Sequence, residues 1–478
     1  MQSLQQIIQD YKKTFHESED FITREFIAFK NVNAVVMFVD GSVDKQFLIS
    51  GVMRPLQNEE QQPNGNIADF ASENLVGYVQ SKTETDKQKI VEALLNGFCV
   101  VMFENCNTAV LADSTKWIVR IPSEPPTSAV MNGPREGFIE DIITNASLLR
   151  KRLKNPDFIM KKLIVGKYTQ TQVRVCYIES IASPKVVKMV IDKISKIDID
   201  GVVDSNYISE FLQNKRHTIF KQIGISEKPD IVTAKLLEGR IAIVVDGSPM
   251  VLTVPFCLLE DLQNSNDYYI TSGRATVLRF LRIIGLVFAI LLPGVYVALM
   301  VYHYNIIPLK FLISIANSIQ GIPLPPFLEV LFIIFLFEML YEASLRMPRY
   351  MGLALSVVGA LILGDTAVKA GLVSPPAVMI VALTGVMSYT VPEQAQQISF
   401  LRLIFTIVGG IFGLFGIILA SMFLVAYLAN MDSYNTPYLS PFAPFNLKDQ
   451  KDGILKMPAP AQRLRPKSIP NTNIKRQG

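Results

Sequence analysis

Apolar residues fall into two regimes along this chain. Up to about Tyr269 they come in short runs, some alternating with polar residues and some spaced at three and four, with frequent charges between them. From Ile283 to Tyr427 the apolar runs lengthen until charge is almost absent, and charges return in the tail. Alternation marks half-buried strands, three-and-four spacing marks helices, and unbroken runs of about twenty residues mark helices that cross a bilayer. The pattern predicts an α+β N-terminal region of two subdomains, followed by an α-helical multi-span membrane domain.

In the first subdomain, residues 1–122, NVNAVVMFVDG (31–41) and KQFLISGVM (45–53) read as strands. DKQKIVEALLNG (86–97) reads as a helix stopped by Gly97, and FCVVMFEN, NTAVLAD and KWIVRIP as three short strands with Asn and Asp at their turns. SEPPTSAVMNGP (123–134) has the Pro, Ser and Gly content of a linker. The second subdomain, 135–272, opens with REGFIEDIITNASLLRKRL, read as one amphipathic helix, acidic early (Glu136, Glu140, Asp141) and basic late (Arg150, Lys151, Arg152) as the helix dipole favours. KKLIVGKYTQTQVRVCYIES gives two strands and SPKVVKMVIDKISKI a helix. EGRIAIVVDGSPMVLTVP (238–255) gives a hairpin turning at Asp246-Gly247.

The membrane domain is placed at 273–430, with about four full spans plus interfacial and re-entrant pieces. Its spans are 283–302, 327–346 and 402–430, with 309–326 lying in the interface. Residues 352–389 are cut by Gly, Pro, Asp365 and Lys369, and Ser374-Pro375-Pro376 is a natural break. Arg274, Arg279 and Arg282 before the first span, Arg346 and Arg349 after the second, and the basic tail are expected in the cytoplasm. The loop 303–326, with only Lys310, is expected outside. An even number of crossings follows, so 352–389 contributes one net crossing; a six-span count keeps the same orientation. MQSLQQIIQDYKKTF has no long apolar core, so both termini are expected in the cytoplasm. Residues 431–478 read as a flexible basic tail.

Charge inside the apolar block is the chemically informative feature, because an ionisable group in hydrocarbon costs a few kcal/mol and marks function or a buried pair. Glu329 follows Pro325-Pro326 in the first turn of its helix, where the dipole favours a carboxylate near the interface. Glu338 lies nine residues on, about 13 Å deeper and on the opposite face. Glu342 and Arg346 follow at spacings of four, so the three share a stripe roughly 80° wide. Asp365 and Lys369 repeat the spacing of four. These five residues either pair to hold the helices together or line a water-filled path, for which acidic rings are the usual means of admitting cations. Gly409 and Gly413 have GxxxG spacing, and Gly359 adds small surface for helix packing or oligomerisation.

Composition narrows the function. The net charge of +4 over 478 residues gives no dense basic patch, and nucleic acid is not an expected partner. Cys99, Cys106, Cys176 and Cys257 form no CxxC pair and read as buried thiols in a reducing compartment. VGKYT (165–169) lacks a glycine-rich phosphate loop, and His16, His217 and His303 are far apart in sequence. No nucleophile elbow occurs. The expectation is therefore a non-enzymatic protein without cofactor or metal.

Three blocks resemble the A subunits of spore germination receptors, the GerA family of endospore-forming Firmicutes. They are GPREGFIEDIITNASLLRKRLK (133–154), LLEGRIAIVVDGSPMVLTVP (236–255) with DYY at 267–269, and PLPPFLEVLFIIFLFEMLYEASLRMPR through SVVGALILGDTAVKAGLVSPPAVMIVALTGV (323–386). The resemblance spans nearly all of 130–430 in the family's order; the first 120 residues and the tail match in general character. It implies a receptor subunit in the inner membrane of the spore, acting with a transporter-like B subunit that binds nutrient and a lipoprotein C subunit. It further implies a homo-oligomer that releases monovalent cations when nutrient binds, with Glu338, Glu342, Arg346, Asp365 and Lys369 as candidate pore or gating residues. The alternative is a non-conducting scaffold that clusters receptor or channel complexes.

Overall fold

The computed structural model describes residues 3–60, 66–75, 81–116, 133–214, 218–346, 365–447 and 449–476. The first α+β unit is built on strands β1 (Phe21–Ala28), β2 (Val32–Val39), β3 (Ser81–Glu84), β4 (Phe98–Phe103) and β5 (Ala109–Asp113). They form an antiparallel sheet in the order β1-β2-β4-β5-β3. The second uses β6 (Phe158–Val165), β7 (Thr171–Ile178), β8 (Gly224–Ser226), β9 (Ile241–Val245) and β10 (Val251–Val254). Its order is β6-β7-β9-β10-β8, again antiparallel throughout. Numbered within each unit, the two orders are identical, and helices follow the second and third strands in both. The chain thus repeats one topology twice.

Both sheets are covered on two faces. On the first, Leu4, Ile7 and Tyr11 pack with Ile90 and Leu94 on one side, and Leu48, Val52 and Leu56 fill the other. On the second, Val186, Val190 and Ile208 oppose a layer containing Ile142, Leu149 and Val232. Two-sided burial explains why β2, β4, β9 and β10 read as continuous apolar runs instead of alternating.

Two expectations are corrected here. KQFLISGVM is helical, through Lys45–Phe47 and Leu48–Met53, because Asp44 caps its start by accepting from Gln46 N at 3.0 Å. Leu48, Val52 and Leu56, four apart, are its buried face. The opening helix of the second unit is shorter than predicted, Ile142–Arg152, with Asp141 as its cap. Arg150 lies in the last turn as expected, and it is also 1% exposed and bonds Asp20 of the first unit at 2.6 Å. The predicted strand at 117–122 and most of the linker at 123–134 lie outside the described residues, as does Gly359.

The C-terminal region is a layer of apolar helices: Ser272–Val301, Leu309–Ile319, Pro326–Arg346, Pro375–Ser388 and Ala395–Ala429. Among the described residues, two segments are long and apolar enough to cross a membrane, Ser272–Val301 and Pro392–Ala429. Pro326–Arg346 is as long as a span but carries Glu329, Glu338, Glu342 and Arg346. The Pro375–Ser388 helix starts at the predicted break, with Ser374 as cap, and its 14 residues are too short to cross by themselves. The last helix is broken at Gly413, whose φ of 64° no helix accommodates.

The tail is not a loose extension. Asp432–Ser433 and Thr436–Pro437 form a small hairpin, Tyr438 is fully buried, and Thr472 N donates to Ile181 O at 2.9 Å. Its scarcity of apolar residues misled the reading: a few buried side chains and backbone bonds hold it along the second unit.

Candidate functional site: charged side chains in the helical layer

Glu338 occupies the middle of the Pro326–Arg346 helix, and its side chain reaches across to the Ala395–Ala429 helix. Arg402 donates to its Oε1 from Nη2, and Ser399 Oγ donates to the same oxygen at 2.5 Å. Arg402 is 7% exposed. Sequence reasoning missed Arg402; its signal was a basic residue opening an apolar run, which needs a carboxylate within reach.

The predicted stripe divides. Glu338 bonds across helices, whereas Glu342 bonds Arg346 on its own helix at 2.5 Å. Asp365 likewise bonds Lys369 at 2.8 Å, four residues along. Both i,i+4 pairs are exposed, with Glu342 and Asp365 side chains just over half accessible, at 55% and 53%.

Glu329 departs most from expectation. It is fully buried, and Ser374 N, at the start of the Pro375–Ser388 helix, donates to its Oε1. It stays in the first turn of its helix, as the sequence places it, with its carboxylate turned into the layer.

The glycines serve contacts within the chain. A Cβ on Gly294 would collide with the Phe405 carbonyl, and one on Gly409 with the Gly294 carbonyl, so two helices touch backbone to backbone there. Gly413 takes no part in that contact; it supplies the helix break beside Tyr302 and His303.

Where the layer meets the second α+β unit, a second charged cluster forms. Asp267 bonds Arg279 at 3.1 Å and Arg282 at 2.7 Å, and Asp452 of the tail bonds Arg279 at 3.0 Å. Burial alone would raise the Asp267 carboxyl, but the Arg282 hydrogen bond and charge, with Asn264 N and Arg279, outweigh it and hold it below its ordinary value. Beside it lies a cavity of about 560 Å³ lined by Lys235, Arg240, Glu260 and Asp261 among others. Lys235 bonds Glu260 at 2.5 Å, and Gln394, just before the last helix, donates to Asp261 at 2.6 Å. Burial, reinforced by the Arg240 and Lys221 charges, pushes the Lys235 ammonium below its ordinary value. Among the described residues no cluster of His, Cys, Asp and Glu has the make-up of a metal centre.

These features define a class: a repeated α+β module fastened to an apolar helical domain in which the Glu338–Arg402 pair joins two helices. The chain matches the model of the Bacillus/Clostridium GerA spore germination proteins over residues 9–468, and it belongs to that family. It is 35% identical over 480 residues to spore germination protein KA of Bacillus subtilis (strain 168), covering 100% of this chain and 88% of that one. It is 34% identical over 442 residues to the membrane protein YfkQ of the same organism, covering 92% and 86%. Among solved structures, the N-terminal domain of the A subunit of the Bacillus megaterium spore germinant receptor GerK3 matches with 26% identity and a TM-score of 0.43, covering 52% of this chain and 94% of that one. Family membership assigns this protein a role in spore germination.

Proposed function

We propose that this chain is the A subunit of a nutrient-responsive germination receptor in the inner membrane of the spore. It works with a transporter-like B subunit and a lipoprotein C subunit. Several copies oligomerise and form a cation path that opens when nutrient binds at a partner, with no enzymatic step. The proposed organisation has cytoplasmic units at 1–122 and 135–272, a membrane domain of about four spans at 273–430, and both termini in the cytoplasm.

One observation carries the reading. Glu342–Arg346 and Asp365–Lys369 stand exposed on a helical layer whose other exposed side chains are such residues as Phe332, Phe335, Phe415 and Phe423. To the extent that these pairs lie within the hydrocarbon they are costly, and a neighbouring subunit or shared water would cover them. The scaffold reading is favoured by a different observation, the neutralisation of Glu338 by Arg402 within one chain.

Conductance separates the two. Receptors carrying Glu338→Gln and Asp365→Asn should release ions and germinate more slowly than wild type. Unchanged release would remove the charge-lined path, and purified rings that never pass ions in liposomes would leave the scaffold.

A further inference from the structure

Three polar groups meet inside the apolar layer and leave one carboxylate oxygen without a partner. Glu329 is fully buried; Ser374 N satisfies Oε1, and Oε2 has no partner. Tyr296, 8% exposed, extends its hydroxyl beside the Glu329 carboxylate and toward the Ser374 side chain, its one polar neighbour besides that carboxylate. Val330, Ile333, Val373 and Ala377 wall the group. Unsatisfied buried polar atoms are rare enough to require an explanation, and a missing ion is one of the few available.

We propose that Glu329 Oε2, the Tyr296 hydroxyl and the Ser374 hydroxyl, which also accepts from Ala377 N at 3.4 Å, form a binding site for one monovalent cation that keeps part of its water. The donors are all oxygen, which suits a hard cation and not a soft metal. A single carboxylate balances a single positive charge, and no ion pair to Glu329 forms among the described residues. A water molecule would satisfy the orphaned oxygen but not balance a charged carboxylate in an apolar shell, so the competing occupant is a proton, which neutralises the group without an ion. The three residues come from three helices, Ser272–Val301, Pro326–Arg346 and the start of Pro375–Ser388. An ion there ties the short helix to the two longer ones. Tyr296 lies near the end of its helix remote from the α+β units, about 36 Å along from Ser272.

The test uses the full-length protein in lipid nanodiscs, with thermal unfolding followed in NaCl, KCl and choline chloride at equal ionic strength. Wild type should show a saturable rise in midpoint with Na⁺ or K⁺ over choline. Glu329→Gln should abolish it, and Tyr296→Phe should weaken the apparent affinity about tenfold. Equal midpoints in all three salts would mean a bound water only and overturn the proposal, as would a response surviving in Glu329→Gln. Infrared difference spectra in saturating salt add an independent reading: a carboxylic acid band removed by Glu329→Gln would put a proton where the cation is proposed. If Glu329→Gln does not fold, Tyr296→Phe decides, and an unchanged affinity in that variant overturns the site.

Discussion

Glu338 and Arg402 neutralise one another across two helices of a single chain, although the sequence places them 64 residues apart. Removing either partner leaves the other charge stranded, so Arg402→Ala should lose about 3–5 kcal/mol. Removing both should cost less than the sum of the single changes. The check is a double-mutant cycle on unfolding midpoints in detergent. Additive losses would mean that the two charges are satisfied independently, by lipid headgroups or water.

The Asp267 cluster gives the protein an acid-sensitive joint. The folded carboxyl sits below its ordinary value, so its contribution is complete above about pH 4 and disappears as pH falls through the lower, folded value. Asp267→Asn should therefore destabilise strongly at pH 7 and progressively less in acid, giving a flatter acid-unfolding curve than wild type. A constant difference between the two proteins at every pH would show that the loss came from packing and not from charge.

Arg150 and Asp20 fasten the two α+β units, with Arg150 also over the Phe158 ring at 4.8 Å and donating to Asn155 O at 3.1 Å. Arg150→Ala should cost about 3–5 kcal/mol. It should also make the first unit more open to proteolysis than the second, because the cut interface belongs mainly to the link between them. Limited proteolysis with mass readout decides; uniform cleavage across both units would place the effect in the second unit's own core.

How much of this was legible follows from the periods involved. Strands buried on both faces were visible as apolar runs, and the hairpin at 241–254 was visible through its Asp246-Gly247 turn. The repeated strand order was not, because it lies in which strands pair and not in any recurring residue spacing. Residues 45–53 were misread because a short apolar run fits both periods, and the Asp44 cap was the available discriminator. In the helical layer the unusual residues could be found, but not their partners. Glu338 drew attention, yet Arg402 sits in another helix, and which face of one helix meets which face of another is set by packing. Glu329 could be placed in the first turn of its helix, but not its contact with Ser374, which packing sets.

Gly294 and Gly409 mark the closest approach between the two long helices, and here a substitution reads packing directly. A methyl at either position meets backbone, which cannot swing aside as a side chain can. Gly409→Ala should destabilise by about 1–3 kcal/mol, the range for overpacking in a filled interior, and Gly409→Leu by more. Gly413→Ala should also destabilise, but through its left-handed backbone and not through helix contact. The two mechanisms separate in a double mutant with Gly294→Ala. Its effect should be non-additive with Gly409→Ala, because both methyls enter one gap, and additive with Gly413→Ala. Thermal unfolding of wild type, the three single alanine variants and the two double variants in nanodiscs supplies the comparison. Additivity in both pairs would mean that the helices separate freely and that the close contact contributes little.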